Sequence, residues 1–594
     1  MGYGHDAQGS VLTSIRACQV VPDIPSFAVD DGFSYLIPDG LAVHVGSRVR
    51  VRVSGRRLKG FVTALVEVGP DRKLIPIEGL SGEVPSFDET MLVALRWAAM
   101  HYVTPLSVVL KRTVPPNIAK HNGESVAAIG ASQPQELSPS APVYRIGTAP
   151  YGPAVDKTIV DFAAAGRSIV VIAPTAVEIA DIASRLTSRY GERVVQATSS
   201  MSNAAVTRSW SRLVTEHGTI LIGTREVMFW PLSDVGIVVV VEDGRRVMRS
   251  PGTPTLSVRD VIIHRSESEG FPLVFHGPVP TLEVLARSAR IEAPPQRQWP
   301  MVEVVDRTED PPGGGLLTQR TKLAIAAAVD DGDSVFVLVG SRGYAPAFRC
   351  ARCGEIRRCA ACGSAASNDH ACRRCGRTLG PCAACGSGQF HALGAGIGKI
   401  VDDISGVVPA TQVGKSEDHP RVTVGTERDL IGIHDVGLAV AVDIDGLTMA
   451  PHYRAAEDGL RLVVRLAQTV RRGAGRRCMI QTAHINQPAI DALVRGRSED
   501  FLVSELEIRE RFGFPPVGSL IAIETDGSHD VGSLLEDQVS PHATVMGPAP
   551  VGESMRWLLQ ARDLEPARLA LRSILGTLRS RGAKVRIDVD PIDL

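Results

Sequence analysis

The sequence predicts a multidomain α/β chain with two successive doubly wound lobes, and three observations carry that expectation. Continuous apolar runs of strand length alternate with helical patterns through 143–298 and again through 299–498; such runs are buried on both faces of a parallel sheet. A Pro/Gly break, PPGGG at 311–315, punctuates the alternation. The chain has 594 residues, and single cores stop growing near about 250–300 residues.

From Val20 to about Glu83 the text reads as short β-runs, and residues 1–85 are expected to form a β-rich domain. In LAVHVGSRVRVRVSGRRLKGFVTAL, period-two alternation puts Arg48, Arg50 and Arg52 on one strand face. Six Lys/Arg and no acid fall between Leu41 and Val66. That face can contact phosphates, or it is a solvated strand edge whose charges discourage aggregation. FDETMLVALRWAAMHYVTPLSVVLKRTVPP fits two short helices parted at Val103–Thr104–Pro105, so 86–118 is expected to be winged-helix-like, with a plain helical linker domain as the alternative. Ser, Gly, Pro, Ala and Gln dominate 119–142, which reads as a linker.

The first lobe, 143–298, is expected to hold the strands RSIVVIAPT, GTILIGT, VGIVVVVED and FPLVFHG. The second, 299–349 and 387–498, is expected to hold SVFVLVG, RVTVGT, GLAVAVDI and RRCMIQT. A module at 350–386 interrupts it after its first strand, and an α+β domain at 499–594 closes the chain.

Eight of the ten cysteines lie between 350 and 385 as four CxxC pairs: Cys350/Cys353, Cys359/Cys362, Cys372/Cys375 and Cys382/Cys385. Two thiolates three residues apart on a tight turn can face one ion, and four around Zn²⁺ close a tetrahedral site, so two structural zincs are expected. His370 and His391 are alternative ligands, read as surface histidines. Competing readings are a disulfide knot, an iron–sulfur cluster or redox pairs. MGYGHDAQGS has no signal-peptide pattern and only Cys18 and Cys478 lie outside the cluster, which argues against an oxidising compartment. A closed four-sulfur site leaves no position for water, so its expected role is folding and not catalysis. The net charge of −1 and pI near 7.0 neither demand nor exclude a polyanionic partner. No window approaches 18 uninterrupted apolar residues, so no membrane span is expected and the location is expected to be cytoplasmic.

Two α/β lobes in series raise the expectation of a motor ATPase, whose phosphate loop needs glycines, a Lys and a Ser/Thr for Mg²⁺. RIGTAPYGPAVDKT occupies that strand-to-helix position and no GxxxxGK[ST] occurs. Lys157–Thr158 reads as a surface pair on a helix. The strand that should end in a Mg²⁺-holding Asp ends in Val241, followed by Glu242, Asp243 and Gly244. An isopropyl group cannot bind a cation.

RGYAP (342–346) running into the cysteine module, GTREVMFWPLSDVGIVVVVEDG (223–244), PTLE, VTVGT, APHYRAAE, FGFPP, GPAP and the closing DVDP resemble, in order, the text of the PriA family of primosomal replication-restart proteins. FSYLIP followed by VGSRVRV is similar to that family's strand pair in the domain that binds a DNA 3′ end. The resemblance implies two RecA-like lobes and a nested zinc arrangement: Cys350, Cys353, Cys382 and Cys385 on one ion, Cys359, Cys362, Cys372 and Cys375 on the other; spacing alone also permits sequential pairing. It implies a 3′-end pocket mapping onto Phe33, Gly55 and, across a gapped stretch, Lys73, with Ser34 where the family has Asp. A Phe stacks on a base and a Gly admits close backbone approach; the alternative makes Phe33 a core residue beside a turn.

Departures cluster at the nucleotide motifs. Tyr151 and Gly152 stand where the family has the phosphate-loop Lys and Thr; Val241 and Gly244 replace the Asp and His of DEEH; HGPVP (276–280) replaces GSATP. RLAQTVRR replaces QVAGRAGR, so Thr469 takes the first arginine position and Arg472 keeps the remaining guanidinium. An arginine finger alone is worth about 10³–10⁵ in rate. No catalytic residue is therefore assigned; Tyr151, Gly152, Glu242, Asp243 and Arg472 are a nucleotide remnant, and ATP–Mg²⁺ turnover is expected to be negligible. The expected function is binding of stalled or abandoned forks and reloading of the replicative helicase, with its loader, other primosome components and single-strand-binding protein as partners, near the nucleoid. An active ATP-dependent 3′-to-5′ helicase and a zinc-dependent adaptor of the primosome are the alternatives.

Overall fold

The computed structural model describes residues 15–69, 72–115, 141–231, 234–309, 315–340, 347–353, 355–360, 372, 377–393, 397–414, 420–450, 452–526, 530–551 and 554–592. The expected linker lies almost wholly outside these residues, as do RGYAP, His370, Cys362 and Cys375.

The chain begins with an antiparallel sheet of β1 (Ile15–Pro22), β2 (Phe33–Leu36), β3 (Arg48–Val53), β4 (Arg56–Val68) and β5 (Gly79–Leu80), ordered β2-β1-β4-β3-β5. RVRVRV buries Val49 and Val51 completely against Cys18, Val20, Tyr35 and Val62, because side chains alternate faces along a strand. Residues 75–78 bond to both edges: Leu36 N–H donates to Ile75 O, Ile77 N–H to Leu36 O and Glu78 N–H to Arg50 O. These bonds close the sheet into a small barrel, removing its edges.

Helix α1 (Glu89–His101) starts at Asp88, whose carboxylate accepts from Met91 N–H; α2 (Leu106–Leu110) follows. No β-hairpin wing follows this pair among the described residues. Leu95 and Ala98 are buried in one continuous core with Val261 and Ile262 of the first lobe and Leu571 and Leu575 of the C-terminal domain.

Lobe 1 strings together β6 (Val143–Ile146), α3 (Gly152–Ala164), β7 (Ser168–Ile172), α4 (Ala176–Tyr190), β8 (Val194–Ala197), α5 (Asn203–Thr215), β9 (Ile220–Gly223), β10 (Val235–Val241), α6 (Val258–Glu269), β11 (Leu273–Gly277), α7 (Leu282–Leu285) and β12 (Arg290–Glu292). Its parallel, RecA-like sheet runs β12-β6-β11-β10-β7-β9-β8. VVVV of β10 is buried on both faces, as a central parallel strand must be.

Lobe 2 contains β13 (Val302–Asp306), α8 (Gln319–Asp330), β14 (Val335–Leu338), the hairpin β15 (Ala347–Cys350) and β16 (Phe390–Leu393), α9 (Ile397–Ser405), β17 (Val413–Gly414), β18 (Val422–Gly425), β19 (Leu438–Ala441), α10 (Asp445–Thr448), α11 (Ala455–Gln468), β20 (Arg477–Thr482), α12 (Pro488–Arg495) and α13 (Glu499–Phe512). Its sheet is also parallel, ordered β13-β20-β19-β14-β18-β17, and β15–β16 is the base of the cysteine insertion. The expected tail starts at the first residue of α13, yet Phe501 and Leu502 are buried in the lobe 2 core.

The C-terminal sheet is antiparallel, β22-β23-β21-β24, from β21 (Ser519–Thr525), β22 (Thr544–Val551), β23 (Ser554–Ala561) and β24 (Val585–Val589), with α14 (Val531–Gln538) and α15 (Glu565–Ser580). No helix among the described residues is long and apolar enough to cross a membrane.

Candidate functional site

The strand β6 delivers the chain into α3 at the position of a phosphate loop. Tyr151, immediately before α3, is 2% exposed and donates its hydroxyl to Glu242 Oε1 at 3.0 Å. Burial keeps that phenol protonated, with its pKa well above the usual value. Behind it Gly152 lies so close to α4 that an added Cβ would stand 3.2 Å from Arg185 Cβ.

Glu242, at the end of β10, takes a left-handed backbone (φ +48°) and donates its N–H to His276 O at 2.7 Å. Such a conformation costs of order 1–3 kcal/mol and must be held by its surroundings. The holders are Arg465 at 3.1 Å, from α11 of lobe 2, and Arg245 at 3.2 Å. Burial would raise the Glu242 pKa, but the two guanidinium groups outweigh it and hold the carboxyl below its usual range. Asp243 accepts from Thr281 Oγ1 at 2.7 Å, and burial raises its pKa. Both carboxylates expected as a magnesium remnant are thus engaged by this chain's own side chains.

Further ion pairs cross the cleft or back it from within lobe 2. Arg454 reaches Glu283 of α7, Glu457 takes Arg461 and Arg509, the latter at 2.5 Å, and Arg245 stands 3.7 Å from Glu427. Glu457 and Arg509 are 0% and 1% exposed at their side chains. Gly244, in the place of the family's His, leaves room for this network: an added Cβ would fall 2.5 Å from Arg461 Cζ. Gly244→Ala is therefore expected to displace the pinned Arg461 guanidinium and destabilise the protein by about 1–3 kcal/mol, measured by chemical denaturation.

Other expected nucleotide residues lie elsewhere. Arg472 is exposed and donates to Arg297 O at 3.1 Å, in the segment that joins the two lobes and packs against α12, so it makes no contact with Glu242 or Asp243. Thr469 spends its hydroxyl on Leu466 O. Lys157 is exposed on α3, while Thr158 turns inward to Arg145 and His276. Burial pushes His276 down to about 4, so its ring is neutral. A triphosphate with Mg²⁺ does not fit this residue set: a tyrosine fills the loop position and the acids are neutralised by arginines. Arg245, Arg454, Arg461, Arg465 and Arg509 were not singled out from sequence. The available signal was the spacing of Arg454, Glu457, Arg461 and Arg465 along one face of α11.

The cysteine cluster is the second site. Cys350, Cys353, Cys382 and Cys385 place their sulfurs within 4.8 Å of one another. A zinc–sulfur bond of about 2.3 Å implies a sulfur–sulfur edge of about 3.8 Å in a tetrahedron, so this donor set fits a four-thiolate metal. Backbone N–H groups of Cys353 and Arg352 directed at Cys350 lower its thiol, whereas the neighbouring sulfurs of Cys385, Cys382 and Cys350 push the Cys353 thiol up, so the four sulfurs share their protons when no cation lies between them. Arg357 braces the module, donating to Leu379 O and Gly380 O and stacking 4.0 Å over Phe390. Of the second expected set, Cys359 and Cys372 are buried beside Leu379, and Cys362 and Cys375 lie outside the described residues.

In the barrel, Phe33 is 41% exposed at the start of β2, so it is not a core residue. Ser34 donates its hydroxyl to Gln19 Oε1 at 3.0 Å. Gly55 (φ +78°) forms the β3–β4 turn with Ser54 (φ +47°), and nothing lies within 4 Å of where its Cβ would be. Lys73 is exposed just before the barrel-closing segment.

Two RecA-like lobes beside an N-terminal barrel, with a cysteine insertion in the second, define a helicase-like nucleic-acid protein. Family models match both ends of the chain: the 3′ DNA-binding domain (3′BD) of PriA over residues 19–115 and the primosomal protein N C-terminal domain over 510–592. The replication restart protein PriA of Treponema pallidum is 24% identical over 97% of this chain and 99% of its own length. A probable replication restart protein PriA of Mycobacterium tuberculosis is 26% identical over 95% of this chain and 99% of its own. Among solved structures, RecG bound to a three-way DNA junction matches with a TM-score of 0.37 and 12% identity, over 71% of this chain and 54% of that one; so distant a likeness carries no argument. Both ends of the chain thus match PriA domain models, and nearly its whole length is similar to PriA replication restart proteins.

Proposed function

We propose that this chain is a PriA-type replication-restart protein that works without a motor. Its barrel binds the 3′ end at a forked DNA through Phe33, Ser34, Gly55 and Lys73, and its lobes form a fixed platform on which the replicative helicase and its loader are returned, alongside other primosome components and single-strand-binding protein. Two zinc ions hold the insertion in shape, and the protein acts in the cytoplasm at the nucleoid. The observation that supports the motorless reading best is the Tyr151–Glu242–Arg465 chain, which seats this protein's own side chains where a triphosphate and its ion would have to enter. Phosphoryl transfer depends almost wholly on positioning and charge neutralisation, and neither is left to offer.

The test is ATP binding and hydrolysis by metal-replete protein, with and without forked DNA. Turnover is expected to stay at background and to be insensitive to DNA. Robust, fork-stimulated hydrolysis that disappears in Lys157→Ala would establish the helicase reading instead.

A further inference from the structure

The β3–β4 hairpin carries like charges facing one another on the outer face of the barrel, opposite the buried Val49 and Val51. In its register Arg50 lies opposite Lys59 and Arg52 opposite Arg57, with Arg56 at the turn. The carbonyls of Arg50 and Arg52 point away from β4, one accepting from Glu78 N–H and the other from the Tyr35 hydroxyl. Both rungs are therefore non-hydrogen-bonded pairs, in which opposed Cα atoms approach to about 4.5 Å and side chains stand closest. Like charges opposed in this way are destabilising. One carboxylate, Glu78, relieves the outer rung by pairing with Arg52 and Arg57; Arg50, Arg56 and Lys59 have no acidic partner among the described residues. Protection of an exposed edge does not explain Arg50, since its strand is paired on both sides, to Lys59 and to Gly79.

We propose that this hairpin, whose turn carries Gly55 of the pocket that takes the 3′ terminus, is also a binding rail for the sugar–phosphate backbone of DNA, running back from that pocket along the Arg50–Lys59 and Arg52–Arg57 rungs. The rungs, two residues apart, are about 6.8 Å from one another along the strand, and a phosphate backbone would neutralise both, turning a repulsion in the free protein into attraction in the complex. Farther back the same face is covered, with Arg48 lying 5.7 Å over the buried Phe61 ring. The rail is thus confined to the half of the hairpin nearer its turn, on the outer face of the barrel wall. The inference rests on the DNA-binding reading above but adds a sequence-independent contact to it.

The experiment is a salt titration of the full chain with forked DNA carrying either a free 3′ hydroxyl or a 3′-phosphate block, for wild type, Arg50→Gln/Lys59→Gln and Phe33→Ala. Each lost phosphate contact lowers the slope of log K against log salt by about 0.9, so the double variant is expected to lose about 1.8 and to keep the wild-type preference for the free 3′ end. Phe33→Ala is expected to keep the slope and lose the preference. An unchanged slope in the double variant, with an unchanged unfolding midpoint, overturns the rail; a fall in slope accompanied by loss of end preference also overturns it, because the two residues would then belong to the terminus pocket. Wild-type binding indifferent to the 3′ group would refute end recognition, and the slope of the double variant would still decide for or against the rail.

Discussion

Chelation of metal from the purified protein is expected to unfold residues 350–385 while both lobes stay folded. The physical reason is how little else the module has. Its buried cluster among the described residues is Cys359, Cys372 and Leu379, and its base is the two-stranded hairpin β15–β16, an arrangement marginal at best in water on its own. Structural zinc contributes apparent binding energies of about 10–16 kcal/mol in small domains at neutral pH, so its removal should outweigh every other contact in the segment. Limited proteolysis before and after chelation checks this, with cleavage expected first within 350–385. Elemental analysis is expected to give two zincs per chain, and one in Cys382→Ser. Protease resistance that survives complete metal loss would show that the sulfurs are not what shapes the insertion.

Glu457→Gln is expected to destabilise the protein by about 3–5 kcal/mol, the cost of leaving buried cations without their counter-charge. The carboxylate sits against Arg461 and Arg509, with Arg454 at 3.7 Å, and none of these side chains is more than 7% exposed. Denaturation would register the loss, and Glu457→Leu combined with Arg509→Met is expected to cost less than the sum of the single changes, since an apolar pair removes both charges together. The same network sets a pH dependence. Burial by itself would raise the pKa values of Glu457 and Glu283; the surrounding arginines outweigh it and hold both below the usual carboxylate range. Groups depressed in this way contribute stability that is fully present above the unfolded value of about 4.3 and is lost as pH falls through the folded values. The cleft is therefore expected to loosen in strong acid and not near neutrality. A pH-independent stability between neutrality and strong acid would contradict the ion-pair account.

Much of the architecture was legible because its signals are local. A continuous β-branched run such as IVVVV, of strand length and bounded by turn residues, favours a strand buried on both faces, and β10 is buried in the parallel sheet from Gly236 to Val241. The loss of the nucleotide loop was legible for the same reason: a phosphate loop is a contiguous segment, and Tyr151–Gly152 can be read directly against it. Less was legible in the cleft. Arg472 was the guanidinium left by the motif, yet the side chain that enters is Arg465, two helical turns earlier on α11. The surroundings of α13 were not legible either: it opens the expected tail, yet Phe501 and Leu502 pack in the lobe 2 core and the helix lies against α12.

The sequence by itself determined the strand text, the CxxC turns, the basic hairpin and the absence of a phosphate loop, since each depends on residues within a few positions of one another. Tertiary structure alone decided which sulfurs gather, which arginines close the cleft and which cations face each other across a hairpin. Arg454 meets Glu283 from 171 residues away, and a charge carries no mark in the sequence of the partner it will find. That choice is made by the packing of the lobes, which brings the pair together and removes the water that would otherwise have weakened its attraction.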